Sequence, residues 1–328
     1  MSRRVRRRQR QQSRTLQVFL AVVLVLLTVC VLVKAFFLKA PEQKAAELPA
    51  QPAASDTDDS QQSREEQAAQ EALRSHLERK GGFYTILLSG LDDDNGGSDT
   101  NILMAVDTVN GYVYGVSIPR DSKAIIGGKA HKINYAYNKG GTELLASTVS
   151  EQLGIPVDYT VCVNLQGFTA LVDAIGGVDF EVPINMDYDD PIQGLSIHFK
   201  KGMQHLSGAD ALRVVRFRHN NDGTGYGSED LGRMQTQQKF LKAVAKKMLS
   251  FENLISNPRK YAEIFGQYVD TDLSVTDLAW FGMQVLGMGV DKIDFSTLPN
   301  EWKYPYIYLD PDETLALVNT YLNPYVED

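Results

Sequence analysis

The run Tyr84-Thr85-Ile86-Leu87-Leu88-Ser89-Gly90-Leu91 is apolar almost throughout. A strand with one wet face alternates apolar and polar residues, whereas one without that alternation is covered on both sides. The surrounding chain must therefore supply layers above and below a sheet. Residues 101–107 and 112–118 read as neighbouring strands joined at Val109-Asn110-Gly111. A helical pattern at 143–152, stopped by Gly154 and Pro156, gives way to a strand at 159–163, a helix at 167–175, a Gly176-Gly177 turn and a strand at 178–182. Residues 195–199 read as a further strand and 207–212 as a short helix. Beyond Phe251, helical patterns at 259–269, 274–286 and 313–321 flank a strand at 292–298. Strands alternating with helices predict an α/β fold: a mixed central β-sheet sandwiched by helices.

The amino terminus is of another kind. Seven arginines between Arg3 and Arg14 precede an apolar run from Leu16 to Val33, prolonged past Lys34 by Ala35-Phe36-Phe37-Leu38. About 20 apolar residues suffice for a helix to cross a bilayer, so the sequence predicts an N-terminal transmembrane helix over 16–38. The arginines then hold residues 1–15 in the cytoplasm and put the rest outside, as a single-pass cell-membrane protein. A cleaved signal peptide is the competing reading. Residues 39–82 read as a spacer ending in a stalk helix at 63–80, 83–250 as the main domain and 251–328 as an extension packed on it.

Charge separates the same parts. Residues 1–39 carry seven arginines and two lysines with no acid, nine positive charges, so a whole-chain charge of −8 leaves the remainder at −17. So acidic a body argues against nucleic acid as a partner. Cys30 and Cys162 are the two cysteines and predict no intrachain disulfide. The five histidines have no metal-ligand spacing.

Against this acidic background, clustered arginines stand out. Leu212-Arg213-Val214-Val215-Arg216-Phe217-Arg218 reads as a strand whose period of two puts Arg216 and Arg218 on one face. After a Gly/Asn/Asp loop, Asp230-Leu231-Gly232-Arg233 opens a helix, so Arg233 sits in a first turn rich in unpaired N–H groups. Gln237 follows one turn later on the same face. Together these are equipment for a multiply charged anion. Solvated strand-edge charge is the plainer alternative.

Asp92 ends the first strand and Asp99 follows past Asn95-Gly96-Gly97; such carboxylates can share a hard cation with phosphate oxygens. Ile118-Pro119-Arg120-Asp121 ends the third strand, and Lys132-Ile133-Asn134 adds a cation and an amide. Carboxylates for a metal and cations for the oxygens of one ligand recur in phosphoryl transfer. Phe240, Leu241, Val244 and Met248 either line an apolar slot or pack in the core.

In their order, Leu91-Asp92, Ser98-Asp99-Thr100, Ile118-Pro119-Arg120-Asp121, Lys132-Ile133-Asn134, Asn164-Leu165-Gln166-Gly167-Phe168, Val172 to Asp179, Arg216-Phe217-Arg218 and Asp230-Leu231-Gly232-Arg233 resemble the LytR-CpsA-Psr family of cell-envelope proteins. The resemblance runs from about Tyr84 to Leu249. It implies a membrane-anchored extracytoplasmic phosphotransferase that attaches a glycopolymer, such as teichoic acid or capsular polysaccharide, from a polyprenyl pyrophosphate carrier to peptidoglycan. Asp92 and Asp99 would hold Mg²⁺ (or Mn²⁺), while Arg120, Lys132, Arg216, Arg218, Arg233 and Gln237 would bind the substrate. Asp99, Arg120 and Arg218 would be catalytic, with Asp99 and Asp121 the candidate bases. The family commonly has arginine where this chain has Asp94, Gly97 and Thr236. Those departures motivate an alternative, a weakened module that binds lipid-linked glycopolymer without turnover; a third reading is a pyrophosphatase that transfers to water.

Overall fold

The computed structural model describes residues 39–43, 78–91, 97–192, 194–227, 229–248, 250 and 258–326. They fall into two compact units, one of 39–42 with Ser274–Phe281 and one holding the remainder. In the first, Ser274 N–H donates to Asp277 Oδ2 at 2.9 Å and Asp277 N–H to Ser274 Oγ at 3.1 Å, a reciprocal cap that starts a helix.

The larger unit is built on a six-stranded sheet. Its centre is β1 (Phe83–Leu91), antiparallel to β2 (Ser98–Asp107), which is antiparallel to β3 (Tyr112–Ile118). Two short hairpins interrupt the framework: β4 (Lys123–Ile126) with β5 (Lys129–Lys132), and, further on, β8 (Met186–Asp190) with β9 (Leu195–Phe199). Strand β6 (Tyr159–Asn164) runs parallel to β1 on its other side, and β7 (Val178–Val182) pairs with β10 (Gly202–Leu206). The edges of the main sheet come from late in the chain: β11 (Val269–Thr271) on β6 and β12 (Ile293–Thr297) parallel to β3. A last hairpin joins β13 (Asn300–Lys303) to β14 (Tyr306–Leu309).

The helices are α1 (Tyr135–Leu153), α2 (Leu165–Ala174), α3 (Gly208–Arg216), α4 (Glu229–Met248), α5 (Pro258–Tyr268), α6 (Val275–Met288) and α7 (Pro311–Leu317). Helix α1 is two segments broken at Gly140-Gly141, where Gly141 has φ +65°. Apolar side chains gather in two clusters. One packs Phe83, Leu87, Leu103 and Val116 of the sheet against Leu145 and Val149 of α1. The other joins Val172 of α2, Phe180 of β7, Ile197 of β9, Val214 of α3 and Phe240 of α4. Full burial of each such side chain contributes about 1.5–3 kcal/mol. At the foot of β1, Arg79 pairs with the fully buried Asp158 at 2.7 Å, and Asp158 also accepts from Thr85 N–H at 2.9 Å.

Two expectations are corrected. The mixed sheet with flanking helices is present, but no helix among the described residues is long and apolar enough to cross a membrane. The longest, α4, carries charged and polar residues along its whole length. The span expected at 16–38 lies outside the described residues, as does 63–77 of the stalk; residues 78–80, expected to end the stalk helix, are not helical, and Arg79 instead bridges to Tyr325. Nothing in the structure thus carries the transmembrane helix, the single-pass topology or the membrane as a partner, and these are set aside. The second correction concerns the arginine strand. Residues 208–216 form one helix, with Ser207 Oγ capping Asp210 N–H, and Phe217 leaves it in extended conformation at φ −61°, ψ 137°. Val214 and Phe217 are buried, so local helical packing overrides the β-propensity of Val-Val.

Candidate active site

The sheet end where β2 starts and β3 stops gathers the charged groups. Ser98 stands opposite Leu91, and Asn101 opposite Ile118, so Asp99 and Arg120 emerge at the same edge. Pro119 supplies no N–H and ends β3. Arg120 Nη1 donates to Asp99 Oδ1 at 2.8 Å, and its Nε lies 4.0 Å from Asp121 Oδ1. Asp121, in turn, sits 3.0 Å from Lys132 Nζ. The result is an alternating chain of charge, Asp99–Arg120–Asp121–Lys132.

This chain is fixed from both sides. The β4–β5 hairpin returns Lys132 to its root, where Ile133 N–H donates to the Ser122 carbonyl at 2.8 Å and Asn134 N–H to the Arg120 carbonyl at 3.2 Å. On the opposite side, Ile307 N–H donates to the Asp121 carbonyl at 2.9 Å. Asp99, Arg120, Asp121 and Ile307 line one pocket with Arg233, Met234 and Gln237 of α4.

Helix α4 is held over the pocket by polar contacts. Gln238 Nε2 donates to Ser117 Oγ at 2.8 Å on β3 and to the Ser296 carbonyl at 2.9 Å on β12, and Lys242 Nζ donates to the Ile293 carbonyl at 2.7 Å. Sequence reasoning missed Gln238, which is buried and acts by positioning; its only signal is adjacency to Gln237. Gln237 donates to the Val215 carbonyl at 3.1 Å and lies 3.4 Å from Thr100 Oγ1. Arg233 is buried, 7% exposed, and lines the pocket, so its cation sits with little water.

Gly232 precedes Arg233 for a steric reason. A Cβ there would lie 2.2 Å from Tyr226, whose ring packs edge-on against Phe217. Tyr226 also contacts Thr236, whose hydroxyl is 2.9 Å from both the Tyr226 hydroxyl and the Gly232 carbonyl. Burial pushes the Tyr226 pKa up, so it stays a neutral phenol. Position 236 is therefore filled by a packed threonine rather than a cation.

The remaining expected residues fall less centrally. Arg216 closes α3 and Arg218 begins the loop to Tyr226; both are half-buried and neither lines the pocket. That loop is tied to β8, where Asn220 Oδ1 accepts from Asp187 N–H at 2.7 Å and Asn221 Oδ1 from Asp189 N–H at 2.6 Å. Asp92 and Asp94 lie outside the described residues. Phe240 and Val244 belong to the core, where the Phe240 ring meets Phe168 tilted and Phe180 edge-on, rather than lining an open slot.

Among the described residues no group of His, Cys, Asp or Glu is arranged as a three-ligand metal site. Of the two carboxylates expected to hold a cation, Asp99 lines the pocket and offers oxygen donors of the kind a hard cation takes alongside phosphate oxygens, while Asp92 lies outside the described residues.

A model of the LytR_cpsA_psr family matches residues 49–322. The chain belongs to the LytR-CpsA-Psr family. Members similar to it include the polyisoprenyl-teichoic acid–peptidoglycan teichoic acid transferase TagV of Bacillus subtilis, 32% identical over 241 residues, covering 70% of this chain and 59% of TagV. TagU of Bacillus mycoides is 40% identical over 177 residues, 52% of this chain and 55% of TagU. The regulatory protein MsrR of Staphylococcus aureus is 32% identical over 246 residues, 74% and 72% of the two chains. The chain thus spans less than two thirds of the length of the TagV and TagU relatives. Among solved LytR-CpsA-Psr structures, B. subtilis TagV aligns with a TM-score of 0.60 at 30% identity over 74% of this chain and 96% of that one. TagT bound to LI-WTA aligns at 0.59 and 25% identity, over 73% and 89%. This kinship supports a transferase-type function in cell-envelope biogenesis.

Proposed function

We propose that this LytR-CpsA-Psr protein is a phosphotransferase that moves a glycopolymer from polyprenyl pyrophosphate to peptidoglycan. The observation that carries the reading is the pocket in which Arg120, Asp99, Arg233 and Gln237, drawn from β2, the end of β3 and α4, face one space. The names of TagV and TagU supply the substrate class.

An acceptor hydroxyl attacks the phosphorus that bears the saccharide. The bond from that phosphorus to the bridging oxygen breaks, polyprenyl phosphate leaves, and the hydroxyl proton passes to a carboxylate, Asp99 or Asp121. Arg120 and the buried Arg233 grip the non-bridging oxygens, where charge accumulates, and a desolvated guanidinium is worth more there than in water. Arg216 and Arg218, on the neighbouring helix end and loop, and Lys132 add positive field. Asp99, with Asp92, would hold Mg²⁺, which when bound neutralises phosphate charge.

The test is transfer of a saccharide from a short-chain polyprenyl pyrophosphate donor to peptidoglycan oligomers, read by mass spectrometry. A saccharide–phosphate–glycan adduct that Asp99→Ala and Arg233→Ala abolish supports the reading. Saccharide phosphate alone indicates a pyrophosphatase, and binding without product indicates a binding module.

A further inference from the structure

We propose that the β13–β14 hairpin is a saccharide subsite in which Trp302 stacks on a pyranose ring beside the pocket. The inference rests on the phosphotransferase reading for the class of sugar involved, but its geometry stands apart from it. Strands β13 and β14 pair Trp302 directly with Ile307, and opposed residues of an antiparallel pair share a face. Ile307 lines the pocket and donates its N–H to the Asp121 carbonyl. Trp302 therefore occupies the hairpin face that borders the charged site, one strand further out.

That position leaves aromatic surface open to solvent at the edge of the site. Trp302 is 55% exposed and Tyr304, at the hairpin turn, is 89% exposed. Among the described residues no ring or cation stacks on Trp302. An aromatic ring left open beside a polar cleft offers an apolar face with a polar handle to a ligand bound in that cleft.

The chemistry selects a sugar. A pyranose presents an apolar C–H face, which matches an indole, and a rim of hydroxyls, which matches interleaved polar groups. Asn300 shares the Trp302 face, two residues away, while Glu301 and Lys303 project from the other and pair at 2.7 Å. A polyprenyl chain instead requires an enclosed apolar slot, and this hairpin is open. The platform is also firm: Tyr306 Oη donates to the Ala130 carbonyl at 3.1 Å, and Ile307 bridges to Ser122.

The experiment is calorimetric titration of the full chain and of Trp302→Ala, Trp302→Phe and Tyr304→Ser. One probe is an N-acetylglucosamine–N-acetylmuramic acid tetrasaccharide, which lacks phosphate; the second is a short-chain polyprenyl pyrophosphate-linked disaccharide; inorganic pyrophosphate is the control. Trp302→Ala is expected to weaken at least one saccharide probe by about tenfold, with Trp302→Phe recovering most of it and pyrophosphate affinity unchanged. A loss confined to the tetrasaccharide assigns the subsite to the acceptor, and one confined to the linked disaccharide assigns it to the donor. Equal affinity of Trp302→Ala and parent for both saccharides overturns the proposal, as does an equal loss for pyrophosphate. If no transfer product forms but saccharide binding still depends on Trp302, the phosphotransferase reading fails and the subsite remains.

Discussion

Arg120 Nη1 lies 2.8 Å from Asp99 Oδ1 while the Nε of the same guanidinium lies 4.0 Å from Asp121. One arginine is thus held between two carboxylates, and the second is held in turn by Lys132 at 3.0 Å. Lys132 consequently sets where Arg120 points. Removing it leaves Asp121, only 13% exposed at its side chain, to draw Arg120 away from Asp99. Lys132→Ala is expected to lower kcat by about tenfold with a smaller change in KM, and Lys132→Arg to recover most of the loss. Steady-state kinetics on the three proteins check this; an effect on KM alone would make Lys132 a simple binding residue.

The two described positions that lack a family arginine differ in what they would tolerate. A Cβ on Gly97 would meet Asn134 at 3.6 Å, an ordinary contact, and Gly97 has no positive φ. Gly97 is buried but a side chain there meets no close neighbour, so Gly97→Arg is expected to cost less stability than an arginine at a packed site and to bind pyrophosphate several-fold more tightly, with the gain shrinking as salt rises. Thr236 is 2% exposed beneath Tyr226, so Thr236→Arg buries a charge without room and is expected to cost about 3 kcal/mol or more. Thermal melts and calorimetry separate the two cases.

Gly232 should be as strict. The 2.2 Å approach of Tyr226 leaves no space for a methyl group. Although alanine is the better helix former, Gly232→Ala is expected to destabilise the protein by about 1–3 kcal/mol, measured by denaturant unfolding. Gly232→Ala with Tyr226→Ala should regain part of that loss, and an unaltered or higher stability for the single variant would contradict the steric account.

The β8–β9 hairpin carries a pH-dependent clamp. His198 Nδ1 is 2.7 Å from Asp187, and its Nε2 is 3.2 Å from Asp189 and 2.9 Å from Ser196. The hydrogen bond to Asp187, aided by the charge of both aspartates, raises the His198 pKa, and the bond from Ser196 lowers that of Asp189. A raised histidine contributes stability fully below its unfolded value of about 6.5 and loses it as pH climbs through the folded value. The lowered Asp189 contributes above its unfolded value of about 3.9 and loses it on acidification. Amide protection in the hairpin should be greatest between those limits and fall toward pH 8.5, with His198→Gln removing the fall. Protection that is flat across this range in the parent would refute the clamp.

Cys162, 1% exposed on β6, is an opposite case. Burial, reinforced by the charge of Asp270, pushes its thiol up to about 12. No thiolate is available near neutrality, so Cys162 should resist iodoacetamide at pH 8 in the folded protein and react fully in guanidinium, as peptide mass spectrometry would show.

How much of this was legible in the sequence depended on how local the signal was. The apolar run at 84–91 and the Asn110-Gly111 turn sufficed for β1 to β3, because strand burial and turn chemistry act over a few residues. Asp99, Arg120, Arg233 and Gln237 were readable as strand-end and helix-start groups, and they share one pocket. Arg216 and Arg218 were misread as strand residues, since Val214 and Phe217 serve helical packing as readily as a pleat. Gln238 and Ile307 escaped notice because their partners, Ser117 and Asp121, are 121 and 186 positions away. Trp302 was equally silent: its register with Ile307 exists only once the last hairpin has closed.

The most direct measurement is the transfer reaction itself. The purified protein would be incubated with short-chain polyprenyl pyrophosphate-linked saccharide, Mg²⁺ and peptidoglycan oligomers, beside Asp99→Ala and Arg233→Ala. The parent is expected to form a saccharide–phosphate–glycan adduct, and each variant to lose roughly 10²-fold or more of that activity. Adduct formation that persists undiminished in Arg233→Ala would contradict this, because the buried arginine that lines the pocket would then have no part in the chemistry.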